Sequence, residues 1–390
     1  MYRLIAVSIV GLGLGFRLAY GAAPQDVGSS ASMSTAPHIV KTFDAPGAGK
    51  NGATQQGTLG IGINDLGVIA GITRDAQDMR HGFLRHPDGT FTIFDHPDAG
   101  TGASQGTRVG GLNALGAVAG SVRDANDFDH PYVRDANGNF VTINFPNLLG
   151  GNAWAINLWG TVVGNFLNLT DDQSVLLHYH GFIRSPKGAI TVFDPPGSVV
   201  TEIPTAASIN NAGAITGDYW ACSADLSTCS IHGFVRTPNG RYLVFDAPGA
   251  GPDGYSYQGT YPQGINDLGD VSGYYIDVNS VFHGFVRSAS GSITTFDVPT
   301  TCTAAAPPAD CAFEGTQAEG INIVGTVVGA YFGEDGIPHG FWRAANGSIT
   351  TFDVPRGGYL TVPGSLNDSG QITGIAFDAK FVAHGLYVIP

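Results

Sequence analysis

The feature that most constrains the fold of this chain is an internal repeat. One landmark is Ile or Leu followed by Asn, two variable residues and Gly, and it recurs at spacings of 44 to 56 residues. Its seven copies are INDLG (63–67), LNALG (112–116), INLWG (156–160), INNAG (209–213), INDLG (265–269), INIVG (321–325) and LNDSG (366–370). A repeat of this period indicates one array of similar supersecondary units rather than unrelated domains.

Two further landmarks follow the first in each period. A His-Gly-Phe-type motif is read as HGFLR (81–85), HPYVR (130–134), HGFIR (180–184), HGFVR (232–236), HGFVR (283–287), HGFWR (339–343) and HGLYV (384–388). A Phe-Asp-x-Pro-type motif is read as FDAP (43–46), FDHP (94–97), INFP (143–146), FDPP (193–196), FDAP (245–248), FDVP (296–299) and FDVP (352–355).

Each period contains four short strand candidates separated by turn residues such as Asn-Asp-x-Gly and Pro-Asp-Gly. Four antiparallel strands per period are typical of a propeller blade. The chain begins with a lone fourth strand, IVKTFDAP (39–46), and its last period stops after a third strand. We therefore predict an all-β fold, a seven-bladed β-propeller in which the N-terminal strand completes the last blade and protects the open edges.

The repeat resembles the HAF repeats of bacterial extracellular proteins. Ile-Asn-x-x-Gly followed by His-Gly-Phe carries the resemblance over about residues 58–390, although Gly replaces the central Ala of that family's His-Ala-Phe in most copies. The resemblance implies export and a repeat fold, and it implies no activity.

Composition and the N-terminus agree with export. A basic start, an apolar stretch at 4–16 and the small residues Ala19 and Gly21 predict a signal peptide over 1–21, followed by a flexible linker over 22–37 and the propeller over 38–390. The formal net charge of −14 argues against nucleic acid and anionic membranes as partners. We expect a soluble monomer, secreted or periplasmic, with no membrane span.

The four cysteines form two local pairs in sequence. Cys222 precedes Cys229, and Cys302 precedes Cys311, each pair within one apparent loop. In an oxidising compartment this arrangement predicts two disulfides.

The repeated histidines are the most conspicuous candidate ligands. They are His81, His130, His180, His232, His283, His339 and His384. One per blade would place neighbours on the order of 10 Å apart, whereas ligands of one metal lie about 2 Å from it. We therefore predict a structural role, with the Asp of Phe-Asp-x-Pro as a candidate partner, and neither a metal site nor a cofactor. His178 and His180 leave an H-x-H metal pair as the alternative.

Two other patterns are weaker candidates. GASQG (102–106) fits the nucleophile pattern around Ser104, but it falls in a loop that belongs to the repeat rather than at a strand-to-helix turn. The acidic run RDANDFD (123–129) lacks the bidentate Glu of a calcium loop and is read as a solvated turn.

Length variation is concentrated in the loops between second and third strands and in the links between blades, which should emerge on one face. Binding residues favour such loops on a rigid scaffold. Candidate ligand-binding residues there are Tyr219, Trp220, Tyr255, Tyr257, Phe332 and Glu334. We predict a non-enzymatic protein that binds an extracellular glycan or a surface protein. The alternative is a carbohydrate-active hydrolase or lyase with acidic residues, among them Glu314, Glu319 and Asp253, at the channel mouth.

Overall fold

A computed structural model describes residues 39–169, 177–198, 205–223, 227–299, 314–333, 337–355 and 358–389. Throughout these ranges the chain is all-β, with only two single turns of 3₁₀ helix, at Gly52–Thr54 and Gly254–Ser256. The predicted signal peptide and linker, Cys302, Cys311 and Glu334 lie outside the described residues.

The strands fall into seven consecutive units that follow the sequence repeat. Strand β1 (Ile39–Phe43) stands before them. Unit 1 comprises β2 (Gly57–Ile63), β3 (Ile69–Arg74), β4 (Arg80–Arg85) and β5 (Phe91–Phe94), and unit 2 comprises β6 (Gly106–Leu112), β7 (Val118–Arg123), β8 (Asp129–Arg134) and β9 (Phe140–Thr142). Unit 3 comprises β10 (Leu148–Ile156), β11 (Val162–Leu169), β12 (Leu177–Arg184) and β13 (Ile190–Phe193). Unit 4 comprises β14 (Thr205–Ile209), β15 (Ile215–Cys222), β16 (Cys229–Arg236) and β17 (Tyr242–Phe245). Units 5 to 7 comprise β18 (Gly259–Ile265), β19 (Val271–Ile276), β20 (Phe282–Arg287) and β21 (Ile293–Phe296); β22 (Gly315–Ile321), β23 (Val327–Phe332), β24 (Pro338–Arg343) and β25 (Ile349–Phe352); β26 (Gly358–Leu366), β27 (Ile372–Asp378) and β28 (Ala383–Ile389).

Within each unit neighbouring strands pair antiparallel, and β1 pairs antiparallel with β28 as the fourth strand of unit 7, with Phe43 opposite Gly385. Single-residue parallel bridges join some adjacent units, for example Arg80 with Gly106, and another joins Gly57 of unit 1 to Ala383 of unit 7. Because of these bridges the hydrogen-bonded strands count as three sheets of 12, 4 and 12 strands rather than as seven separate sheets.

The His-Gly-Phe and Phe-Asp motifs pack against each other in the core. A Cβ added to Gly82 would lie 2.2 Å from the ring of Phe94, and one added to Gly71 would lie 2.5 Å from the ring of Phe83. Each ring therefore packs against a glycine of a neighbouring strand, at a position where a side chain would collide with the ring. Phe83 is fully buried. The same Gly–Phe contact recurs between Gly385 and Phe43, across the junction of the two chain ends.

The Arg that ends most copies of the His motif packs between units. The guanidinium of Arg134 lies 4.6 Å from the ring centre of Phe94 in the preceding unit, and that of Arg287 lies 4.9 Å from Phe245. Arg85 makes the equivalent contact with Phe43 at 5.1 Å. These cation–π contacts give the last residue of HGFVR a packing role between neighbouring units.

The Ile-Asn-x-x-Gly motif forms the tight turn between first and second strands. In unit 5 the Oδ1 atom of Asn266 accepts the backbone N–H groups of Leu268 (3.1 Å) and Asp270 (2.9 Å). Gly269 has a φ of 87°, which favours glycine. The Nδ2 atom of Asn266 donates to the backbone carbonyl of Asn322 in the next unit, at 3.0 Å.

This last contact repeats until it returns to its start. The Nδ2 atoms of Asn64, Asn113, Asn157, Asn210, Asn266, Asn322 and Asn367 each donate to the next carbonyl of the set, and Asn367 donates to the carbonyl of Asn64 at 3.0 Å. We call this cycle the asparagine ring. All seven side chains are buried, and the ring links unit 7 to unit 1 independently of strand β1.

Candidate functional site

The antiparallel units present two different sets of loops at their opposite ends. The asparagine turns and the third-to-fourth turns lie at one end, which we call the asparagine-turn face. The second-to-third loops and the links between units lie at the other, the long-loop face. Links and loops are tied together there: the Nε2 atom of Gln258 donates to the carbonyl of Val278 at 3.2 Å, and that of Gln56 to Ala76 at 3.3 Å.

The asparagine ring surrounds a cavity of about 200 Å³ at the asparagine-turn face. Asp65, Asp267 and Asp368 line it, each one residue beyond a ring asparagine. Their carboxylates accept backbone N–H groups of the preceding unit, from Asp368 to Asp65 (2.9 Å), from Ile323 to Asp368 (2.9 Å) and from Asn211 to Asp267 (2.8 Å). These acids therefore connect neighbouring units.

The same face exposes apolar side chains at the fourth position of several asparagine turns. Leu66, Leu115, Trp159, Leu268 and Val324 are each more than three-fifths exposed. Trp159 donates from its indole N–H to the carbonyl of Asn211 at 2.9 Å.

The repeated histidines each face a carboxylate of their own unit. The Nδ1 atoms of His81, His180, His232, His283, His339 and His384 lie 2.7 to 3.0 Å from an Asp of the Phe-Asp-x-Pro motif. Unit 2 has Asn144 at that position, and its His130 instead lies 3.2 Å from Asp124 in the second-to-third loop. Each imidazole thus ties a third strand to a fourth strand or to a loop.

The hydrogen bond to Asp95 raises the pKa of His81 against the opposing effect of burial. Asp246 does the same for His232.

Within the described ranges no group of three or more His, Cys, Asp or Glu side chains is placed to hold a metal ion. The same ranges contain no helix long and apolar enough to cross a membrane.

Three aromatic side chains meet on the long-loop face between units 4 and 5. The ring centre of Trp220 lies 6.1 Å from that of Tyr255 and 6.2 Å from that of Tyr257, both in edge-to-face geometry. Tyr255 is 52% exposed and Tyr257 is 42% exposed. We call these three residues the aromatic cluster.

The turn that carries both tyrosines is held by polar contacts on each side. The Asp253 carboxylate accepts the N–H of Tyr255 (3.1 Å) and the hydroxyl of Ser256 (2.7 Å). The Tyr261 hydroxyl donates to the carbonyl of Tyr257 at 2.7 Å. Tyr257 has a φ of 58°, and Gln55 has the same left-handed conformation after the equivalent 3₁₀ turn of unit 1, so this backbone geometry belongs to the repeated link.

A disulfide braces the other side of the aromatic cluster. Cys222 and Cys229 are joined, which confirms one of the two predicted bonds, and they face each other at the end of the β15–β16 hairpin. A Cβ added to Gly254 would lie 2.9 Å from the carbonyl oxygen of Cys229, so the tyrosine turn packs directly on the disulfide. The hairpin that carries Trp220 and the turn that carries both tyrosines are therefore in direct contact.

The remaining predicted ligand-binding residues are placed apart from this cluster. Tyr219 points into the core of unit 4 and is 3% exposed, because successive residues of a strand face opposite sides. Phe332 ends β23 in unit 6, opposite Pro338, and is half-buried. The structure therefore brings together Trp220, Tyr255 and Tyr257.

Sequence reasoning missed a buried carboxyl beside the cluster. Asp218 precedes Tyr219 in β15 and is 7% exposed, and its burial raises its pKa to about 8. Its charge, when present, further raises the pKa of Tyr261, which burial and Tyr274 already raise. The signal in sequence is an acid in a strand position that other units fill with Ile72, Ser121 or Ala330.

Comparisons with known proteins bear on the fold alone. No protein-family model matches the chain, and no curated protein matches it in sequence. Among solved structures, an acylaminoacyl peptidase from Pyrococcus horikoshii aligns with a TM-score of 0.53 at 10% identity, over 85% of this chain and 51% of the peptidase. A prolyl endopeptidase aligns with a TM-score of 0.54 at 10% identity, over 89% of this chain and 50% of the other.

The chain therefore spans about half the length of these peptidases. A fungal lectin from Aleuria aurantia, described as a six-bladed β-propeller, aligns at 11% identity over 81% of this chain and 94% of the lectin. Its TM-score of 0.38 carries no argument about this chain. At 10% identity the two peptidase alignments show a likeness of fold and nothing about activity.

Proposed function

We propose that this chain is an exported, non-enzymatic seven-bladed β-propeller that binds an extracellular glycan through the aromatic cluster on its long-loop face. Each four-stranded unit would be one blade, with β1 completing the seventh. The asparagine ring supports this architecture, because seven equivalent hydrogen bonds return to their starting residue. The HAF-type repeat and the predicted signal peptide belong to the same proposal.

The aromatic cluster is the observation that carries the function. Tyr255 and Tyr257 are exposed and Trp220 is half-buried beside them. Trp and Tyr rings offer an apolar face together with a polar edge, which suits the faces and hydroxyls of sugar rings. Burying the apolar faces of such rings favours binding, whereas ordering mobile side chains opposes it. Here a disulfide, a capped turn and a tyrosine hydroxyl hold the segments that carry the rings. Pre-organisation of this kind lowers the entropy cost of binding.

The Cys222–Cys229 bond supports export, because disulfides persist in oxidising compartments. Extracytoplasmic glycans would be within reach of such a protein. The acids at the asparagine ring accept hydrogen bonds from neighbouring backbone groups, which favours a structural role for them over a catalytic one.

Affinity electrophoresis through gels containing β-glucan, xylan, mannan or soluble chitin derivatives tests the proposal. Retardation of the natural protein by at least one polysaccharide is expected. Replacing Trp220 or Tyr257 by Ala should lower the affinity calculated from the retardation about tenfold, since stacking and burial of one ring contribute roughly 1–2 kcal/mol.

Trp159→Ala is the matched control, because it removes an exposed Trp from the asparagine-turn face. It should leave retardation unchanged. Absence of retardation in all gels, or equal loss in Trp159→Ala and Trp220→Ala, would refute binding at the aromatic cluster.

A further inference from the structure

Four arginines gather on the long-loop face where units 1 and 2 meet. Arg74 and Arg80 are cross-strand neighbours in unit 1, and Arg108 and Arg123 come from the first two strands of unit 2. The parallel bridge between Arg80 and Gly106 brings these strands side by side. In a chain with 18 Lys and Arg and a net charge of −14, four guanidiniums at one junction are a marked local excess of positive charge. We call them the arginine cluster.

The carboxylates around the cluster pair with only three of the four arginines. Asp78 contacts Arg74 at 2.8 Å, and Asp129 contacts both Arg123 (2.7 Å) and Arg108 (3.2 Å). The guanidinium of Arg80 donates instead to a neutral acceptor, the carbonyl of Ser104. The charge of Asp127 also acts on Arg123, so four positive charges are matched by three negative ones, none of them paired with Arg80.

The electrostatic consequence falls on Arg80. Burial, followed by the charges of Arg108, Arg74 and Arg123, lowers the pKa of Arg80 to about 9, and Asp78 opposes this only in part. A guanidinium normally keeps its proton under all physiological conditions. The charged form of Arg80 is therefore destabilised here, and a bound anion would relieve that repulsion.

The position of the cluster matches that of the aromatic cluster. Counting from the repeated histidine, Arg74 in unit 1 and Trp220 in unit 4 occupy the same place, each directly across from the residue before the histidine. The units agree at the asparagine turn and the His–Asp pair but differ at this position. Two junctions of the same face thus carry different specialised side chains.

We propose that the arginine cluster binds the oxyanion of an acidic saccharide, either a carboxylate or a sulfate ester. Guanidinium groups present paired donors that match both oxyanions. The saccharide part of this inference rests on the proposed function, whereas the oxyanion part does not. Because the protein as a whole is strongly acidic, short ligands with few charges fit the site better than long polyanions.

Isothermal titration and thermal shift at low salt, with trigalacturonate, a sulfated disaccharide and neutral maltotriose as probes, test this site. At least one acidic probe should bind and raise the melting temperature more than maltotriose does. The acidic probe that binds identifies carboxylate or sulfate as the preferred group. Binding of neither acidic probe overturns the proposal.

Arg80→Gln is the decisive variant, because it removes a charge without leaving a paired carboxylate behind. Affinity for the acidic probe should fall about tenfold, as expected for loss of one charged hydrogen bond. The melting temperature without ligand should not fall, since three like charges lose a repelling neighbour. Arg241→Gln, which removes an exposed Arg from a third-to-fourth turn, is the charge-matched control and should bind as the natural protein does.

Unchanged affinity in Arg80→Gln overturns the proposal, and so does a lowered melting temperature with unchanged affinity, which would assign Arg80 a structural role. If Arg80→Gln does not fold, the thermal shift of the natural protein with the acidic probes still decides. Acidic probes that bind through Arg80 while neutral polysaccharides fail to bind would refute the proposed function and leave the oxyanion site intact.

Discussion

At the scale of single residues, the repeated motifs are explained by contacts that every unit must make. The asparagine of Ile-Asn-x-x-Gly closes its own turn and reaches the next unit, and its Gly supplies the left-handed conformation. A buried amide with three hydrogen bonds cannot be replaced without leaving polar groups unpaired. These constraints recur in each unit, and the residue therefore recurs as well.

Asn266→Ala tests this role of the asparagine ring. The substitution leaves the N–H groups of Leu268 and Asp270 without their partner and removes one of the two bonds that the carbonyl of Asn322 accepts, so we expect a loss of about 3 kcal/mol in the free energy of unfolding. Urea denaturation measures it. Leu268→Ala, in the same turn but 63% exposed, should change stability by less than about 0.5 kcal/mol. Equal effects of the two substitutions would show that the ring contributes nothing to stability.

At the scale of strands, a His–Asp pair joins the third strand to the fourth in every unit except unit 2. In unit 7 the pair joins the two chain ends, because His384 lies in β28 and Asp44 directly follows β1, with 2.7 Å between Nδ1 and the carboxylate. The hydrogen bond that His384 donates to Asp44 raises the pKa of His384 above its ordinary value, against the effect of burial. The charge of Asp378 on the other side of the ring acts in the same direction as Asp44.

A pH dependence of stability follows from these raised pKa values. A group with a raised pKa in the folded state stabilises that state fully below its unfolded pKa, about 6.5 for His, and loses this contribution as pH rises through the folded pKa. The free energy of unfolding should therefore decrease above pH 6.5. NMR titration should show the pKa of His384 falling toward its ordinary value in Asp44→Asn.

Asp246→Asn is the reciprocal control for that titration, because Asp246 pairs with His232 in unit 4. It should lower the pKa of His232 and leave that of His384 unchanged. A His384 pKa that is the same with and without Asp44 would contradict the assigned cause.

The sequence predicted the strands well because strand boundaries are set by local chemistry. Tight turns at Asn-x-x-Gly and alternation in short runs are visible without a structure, and the Cys222–Cys229 bond lies within one hairpin. The aromatic and arginine clusters were harder to predict, because each joins side chains of two adjacent units. Tyr219 illustrates the limit: which of two adjacent aromatic residues enters the core depends on strand register, and in the structure Tyr219 is buried whereas Trp220 is half-buried next to Tyr255 and Tyr257.

At the scale of the whole molecule, the proposed propeller requires the seven units to form one closed array. Contacts between unit 7 and unit 1 include the bridge from Gly57 to Ala383, the Asn367–Asn64 hydrogen bond and the packing of Arg85 on Phe43. The β1–β28 pairing completes unit 7 itself. Only β1 brings the start of the chain into the last unit. With it the array has no free strand edge at that junction, and without it the outer side of β28 is exposed.

Packing between units also bears on where the proposed binding side chains lie, which is at the long-loop ends of strands and in the adjoining links. Side chains between units, such as Arg85 against Phe43, are already committed to packing. Positions at the long-loop face are free to differ, and they hold aromatic residues at one junction and arginines at another. The packing contacts between units are therefore repeated, whereas the side chains at the long-loop face differ from one junction to the next.

The most direct test of this account is removal of β1. A chain starting at residue 51 should melt at least about 10 °C below one starting at residue 38, because it loses a strand and the burial of Phe43. A synthetic peptide of residues 38–50, added in excess, should restore most of the lost melting temperature by pairing with the free edge of β28. If both chains melt at the same temperature and the peptide has no effect, the seven units do not close through the N-terminal strand.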